Sequence, residues 1–493
     1  MAALWEEVQR ISEHSGDDIA LIGESDCYSY TELVSAVEQL AEQLMCFHHT
    51  VLALYADNSP QWVIVDLACK VAGCRLLPLP FFFTDHQLTH ALKQAGAQVV
   101  IHPHDGRVFK LIGCDDVTST WGEFAISLTS FDEVALPEGT AKITFTSGST
   151  GEPKGVCLSN GQQLAAAKAL KQVMSSDANK HLSLMPLSTL LENLAGVYVS
   201  LLSKGSVLLL PQKMIGFNGS RGFDVRKFLA TIESSKANSL ILLPELLVAL
   251  VKSVESGWVP PASLNFIAVG GSKVSPALLN NAISLGLPVY EGYGLSECAS
   301  VVSLNTKDTF KVGSVGKPLA HVDIEFNENE IVISGNTFLG YVNDPNSWGQ
   351  GFVETGDLGY LDEDGYLFVN GRKKNLLISS FGRNINPEWV ESSVLSNGLF
   401  KQCVVFGDAR PYCVALLCPA SDLVWDDVIQ VWVDNVNQSL PEYAQILKWI
   451  RLVTPLSVDQ GLLTANGRPR REAVLKQYEH QLNSLYISDS PSI

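Results

Sequence analysis

The sequence predicts an α/β protein in two domains. The large N-terminal domain has layered βαβ sheets plus a β-rich subdomain, and a small, mobile α+β domain follows it. Three observations predict this. Between residues 51 and 285, short apolar runs alternate with helical segments, the rhythm of parallel βαβ units. After Gly313 the pattern changes to short strands and turns. At residues 371–375 the basic, turn-rich patch GRKKN marks a boundary, so the expected domains are residues 1–370 and 371–493.

The elements follow in order. VLALY from Val51 reads as a strand and PQWVIVDLACKVAG as a helix ending at Gly73. CRLLPLP is a second strand, TDHQLTHALKQAG a second helix and AQVVI a third strand. The rhythm returns with helix 162–174, strand 181–185, helix 191–202 and strand 206–210. Helix 224–234, strand 239–243, helix 246–253, strand 266–269 and helix 276–285 continue it. VDIEF, EIVISG and GYLFVNG are then short strands, with Asp364-Gly365 as a hairpin turn. Beyond the boundary CVVFG and CVALLCP form paired strands, and a helix over 471–485 is the last element.

Composition excludes several functions. A net charge of −18 argues against general nucleic-acid binding. No basic-then-apolar leader opens the chain and no apolar run reaches a membrane span, so a cytoplasmic protein without a transmembrane segment is expected. The ten cysteines contain no C-x-x-C, which fits free thiols in a reducing compartment. HQLTH at residues 86–90 lacks the glutamate of a zinc helix and lies on an amphipathic segment, so no metal is assigned to it.

ITFTSGSTGEPKGVCLSN, residues 143–160, concentrates glycine, hydroxyl side chains and Lys154 in one loop. Small residues let backbone N–H groups converge on an anion, and the lysine adds a point charge. The Walker pattern is not matched, because Lys154 lies between Pro153 and Gly155. TSGSTGEPKG resembles the signature loop of the adenylate-forming superfamily, which includes acyl- and aryl-CoA synthetases, peptide-synthetase adenylation domains and luciferases. GYGLSECAS (292–300), TGDLGYLDEDGYLFVNGRKKN (355–375), SSFGRNINPEWVE (379–391) and GGSKVS (270–275) resemble its further motifs, in family order.

The resemblance implies two steps: a carboxylic acid reacts with Mg·ATP to give acyl-AMP, and a thiol then takes the acyl group. It implies an ATP site of Thr146, Ser147, Gly148, Ser149, Thr150, Gly151, Lys154, Gly271, Ser272, Glu291, Gly292, Tyr293, Gly294, Ser296, Asp357 and Arg372. Tyr293 would stack on adenine, Asp357 would accept from both ribose hydroxyls, Arg372 would contact ribose or phosphate and Glu297 would ligate Mg²⁺. Lys374 would be the hinge of the small domain. Ser380, Gly382 and Arg383 would border the tunnel for the thiol of CoA or of a carrier protein's phosphopantetheine. Leu190, Leu191, Gly270, Leu295 and Cys298 would line the acyl pocket.

The chain departs from the family pattern where a C-terminal lysine reaches the reacting carboxylate. LLTANGRPRREAV puts Arg468 there, a planar fork in place of a compact ammonium, with Arg470 and Arg471 as alternatives. In MPLSTLLENLAGVY, Thr189 stands where long-chain synthetases often carry a histidine, and Leu191 where amino-acid-activating relatives place an aspartate. Glu192 is expected to face elsewhere on the helix. A hydrophobic, fatty acid is therefore the expected small-molecule partner, with no basic residue for a second carboxylate. An aryl acid or another small acid, loaded on a carrier protein, is the alternative. A catalytically impaired nucleotide-binding scaffold or sensor is the alternative of another class.

Overall fold

The computed structural model describes residues 3–81, 83–103, 106–113, 117–146, 153–174, 179–217, 223–464 and 467–487. Ser59 caps the helix Pro60–Ala72 by accepting from the Trp62 N–H. Pro60 supplies its fixed φ in the first turn, and Gly73 ends the helix at φ +71°. Thr84 and Gln87 form a capping box on Asp85–Ala95. These local signals position the first βαβ units.

Two large sheets result among the described residues. In the first, Phe266–Val269, Ser239–Leu242, Lys180–Ser183, Ser206–Leu209 and Ile19–Ile22 lie side by side and parallel. The N-terminal strand Ile19–Ile22, which no sequence pattern singled out, thus joins a sheet built mostly from residues beyond 180. In the second, Val51–Leu54 lies between Arg75–Pro78 and Ala97–Pro103, and Lys142–Thr146 follows Arg75–Pro78. Alternation along the strands sorts their side chains into two cores. Ile241 joins a core shared with Leu52, Leu54, Leu76 and Trp62 of the second sheet and its helices. Leu240 and Leu242 join another on the opposite face.

Four antiparallel strands, Val322–Asn327, Glu330–Gly335, Phe352–Leu361 and Leu367–Arg372, form the β-rich subdomain. The C-terminal unit has the strands Phe400–Phe406, Cys413–Pro419 and Ile446–Arg451 with helices Pro387–Leu395, Asp426–Gln438 and Arg471–Ile487. Among the described residues no helix is long and apolar enough to cross a membrane.

Two elements differ from expectation. Lys154 opens a strand, Lys154–Leu158, that pairs antiparallel with Lys142–Thr146. The two strands are an antiparallel pair, and the next helix is Asn160–Met174. The expected helix 191–202 is a π-helix over Glu192–Tyr198 continued by Val199–Leu202. A buried polar cluster meets this irregular turn. Lys142 Nζ lies 2.9 Å from Asp66 and donates to Asn193 (2.5 Å) and Tyr198 (3.0 Å), and the Tyr198 hydroxyl donates to Asp66 at 2.7 Å. Burial would push the Asp66 carboxyl up, but the Lys142 and Lys70 ammonium groups and Tyr198 hold it below its usual range.

Candidate active site

A continuous cleft of about 2930 Å³ runs between the large and small domains. On its floor Asp357 and Arg372 are direct partners across neighbouring strands. The Arg372 Nε lies 2.7 Å from one Asp357 oxygen, and the Tyr293 hydroxyl donates to the other at 2.7 Å. Asp357 is 4% exposed. Burial raises its carboxyl, opposed by Arg372 and Tyr293. Each carboxylate oxygen keeps a second lone pair, so the held carboxylate can still accept from a diol. Tyr293, expected as an adenine platform, is anchored through its hydroxyl.

At the phosphate end, Lys154 Nζ sits 4.8 Å over the Tyr341 ring, and the Tyr341 hydroxyl donates to Glu297 at 2.9 Å. Tyr341 comes from the strand Gly340–Tyr341 beside Lys154–Leu158, so one side chain braces both the cation and the carboxylate. It lies in none of the motifs, and no sequence signal singled it out. Glu297 sits in the short turn Ser296–Cys298. Gly294 before that turn has no room for a side chain, since a Cβ would lie 1.7 Å from the Ser300 carbonyl. Among the described residues no three potential ligands gather around a metal. A cation on Glu297 would draw its remaining ligands from phosphate and water, as Mg²⁺ does.

The Gly-Gly turn closes the middle of the cleft. Gly271 has φ +83°, and its carbonyl accepts from the Arg468 guanidinium reaching across from the small domain. Arg471 is committed elsewhere, with bonds to both Glu391 oxygens at 2.7 Å. Arg470 lies along the cleft. Glu291 is buried at the end of this layer. Burial pushes its carboxyl up to about 7, against Lys273 and the Val274 N–H.

Thr146, Gly270, Ser272, Gly292, Ser296, Leu190, Leu191, Leu295 and Lys374 also line the cleft. Ser147, Gly148, Ser149, Thr150 and Gly151 lie outside the described residues. One expectation is corrected. Cys298 is not in the acyl pocket, because it is fully buried among Val302, Val315 and Ile331. Leu191 lines the cleft whereas Glu192 does not: Glu192 is fully buried, 2.8 Å from His181 Nε2. Ser380, Gly382 and Arg383 are exposed and do not line the cleft. The face carrying Arg468 is the one turned inward.

The family model described as AMP-binding enzyme matches residues 8–341, and that of the AMP-binding enzyme C-terminal domain matches residues 374–490. The 2-succinylbenzoate--CoA ligase of Staphylococcus epidermidis is 26% identical over 404 residues, covering 78% of this chain and 80% of the relative. The o-succinylbenzoate CoA synthetase of Bacillus subtilis, solved with its acyl-adenylate intermediate, superposes with TM-score 0.76 at 24% identity over 95% of this chain and 97% of its own. An anthranilate CoA ligase with anthranoyl-AMP superposes with TM-score 0.80 at 15% identity, covering 96% of each chain. The chain is a member of the AMP-binding enzyme family, in the adenylate-forming superfamily.

Proposed function

We propose that the protein activates an aryl carboxylic acid with ATP and transfers it to CoA. The observation that carries the reading is the convergence of Lys154, Glu297, Asp357, Arg372 and Arg468 on one cleft. Asp357 would hold the ribose, and Lys154 the polyphosphate. Arg468 would come close to the reacting carboxylate. An oxygen of the acid attacks the α-phosphorus, the bond to the β-phosphate oxygen breaks, and pyrophosphate leaves with its electron pair. The thiol sulfur then attacks the acyl carbon, AMP departs, and the thiol proton passes to solvent. Mg²⁺ on Glu297 would neutralise phosphate charge. Positioning and charge stabilisation carry such a reaction without a covalent enzyme nucleophile.

The fatty acid favoured by the sequence gives way to an aryl acid. The relatives named above act on succinylbenzoate and anthranilate, and their acceptor is CoA rather than a carrier protein. Phe266, stacked on Tyr290 at 4.9 Å, offers the cleft an aromatic wall. The test is a panel of aryl, fatty and amino acids, each with ATP and either CoA or a phosphopantetheinylated carrier protein, read by mass spectrometry of the thioester. Aryl-CoA as the main product supports the reading. Acyl-CoA from fatty acids alone would overturn it, and ATP binding without product from any acid would favour the sensor.

A further inference from the structure

We propose that the acid carries a hydrogen-bond donor, a hydroxyl or amino group, at the end remote from its carboxylate, and that Ser239, oriented by His181, reads it. This rests on the aryl-acid reading above. Strand alternation puts Ser239 and Ile241 on the face opposite Leu240 and Leu242, which join another core. His181 and Ser239 line the inner end of the cleft although each is only 2% exposed. His181 Nε2 lies 2.8 Å from Glu192 Oε1, and His181 Nδ1 lies 3.0 Å from Ser239 Oγ. Asn179 Nδ2 donates to Ser239 Oγ at 2.6 Å. Gly196 makes room for the pair, since a Cβ there would lie 2.6 Å from His181 Nε2 and 2.8 Å from Glu192 Oε1.

The chemistry of what is left over points one way. With Nε2–H on Glu192 and the Ser239 hydroxyl on Nδ1, both imidazole nitrogens are spent. Glu192 Oε2 and Asn179 Oδ1 are buried without a hydrogen-bond partner, and Ser239 Oγ keeps a lone pair. A purely structural cluster would close its hydrogen bonds on itself. Here Glu192 and Asn179 lie behind His181 and Ser239, and in this tautomer the group offered to the cleft is the Ser239 Oγ lone pair. A second carboxylate would set an acceptor against the Ser239 lone pair.

The pocket also sets a length. Ser239 pairs with Phe266 and Leu242 with Val269, which puts the polar floor four residues, or about 13 Å at ~3.3 Å per residue, from Gly270. An arylpropenoic acid spans such a slot better than a benzoic acid.

The experiment compares cinnamic, 4-hydroxycinnamic, 4-aminocinnamic and 4-carboxycinnamic acids by kcat/KM for acid-dependent pyrophosphate release. The hydroxy and amino acids are expected to exceed cinnamate by at least about tenfold, and the dicarboxylate to fall below it. Ser239→Ala, with folding checked by its melting midpoint, should bring the hydroxy-to-unsubstituted ratio toward one, and Ser239→Thr should retain it. Equal turnover of the four acids, preference for the dicarboxylate, or an unmoved ratio in folded Ser239→Ala overturns the inference while leaving the aryl-acid reading intact. Silence on every aryl acid, these and shorter ones, defeats both.

Discussion

Replacing Arg468 by alanine is expected to slow acid activation while sparing thioester formation from preformed acyl-AMP. The guanidinium donates to the Gly271 carbonyl across the domain boundary and lies in the field of Asp357, Glu388 and Glu245, with Arg372 as a like charge. A hydrogen bond from a charged donor contributes about 1.5–3 kcal/mol, or roughly ten- to 150-fold in rate. Arg468 is solvent-exposed, so the lower part of that range is expected. Pyrophosphate release measures the first half-reaction, and chemically made aryl-AMP with CoA isolates the second. In the second, the small domain would present the loop with Ser380, Gly382 and Arg383 to the site, with Arg468 turned away. Arg468→Lys, which keeps the charge but not the fork, should lose less than Arg468→Ala. Equal losses in both half-reactions, or none in the first, would refute this division of labour.

Glu291→Gln should stabilise the protein more at pH 8 than at pH 5. The native carboxyl, pushed up to about 7 from an ordinary 4.5, binds its proton more tightly than in the unfolded chain. Stability is therefore lost as pH rises through this window, by about 3 kcal/mol at its end; urea melts at the two pH values check it, and a pH-independent difference would contradict it. Tyr341→Phe removes the donor to Glu297 but keeps the ring under Lys154, so the Mg²⁺ midpoint of activity should rise by about tenfold. An unmoved midpoint would detach Tyr341 from the metal. Lys142→Met leaves Asp66 buried without its main countercharge and should cost about 3–5 kcal/mol in urea unfolding; adding Asp66→Asn should recover part of it.

Local signals were the legible part of the fold. The strand Phe266–Val269 falls where the apolar run predicts it, and Gly73 ends its helix as the pattern requires. What depends on distant partners was not legible. Lys154 belongs to a strand because Lys142–Thr146 pairs with it, which the loop's composition does not encode. Ile19–Ile22 finds its parallel neighbour Ser206–Leu209 far along the chain. In the site, Asp357 and Arg372 were marked by motif, whereas Tyr341 and His181 meet partners, Glu297 for one and Glu192 and Ser239 for the other, that only tertiary packing supplies. The π-helix Glu192–Tyr198 and the His181 partner of Glu192 were not legible, because helical spacing does not encode a turn folded over a buried imidazole.

The most direct test of the central claim is exchange of labelled pyrophosphate into ATP, with Mg²⁺ and an aryl acid but without CoA. Acid-dependent exchange is the predicted result, because reversible formation of acyl-AMP needs no thiol. ATP binding without exchange under any aryl acid would contradict the account.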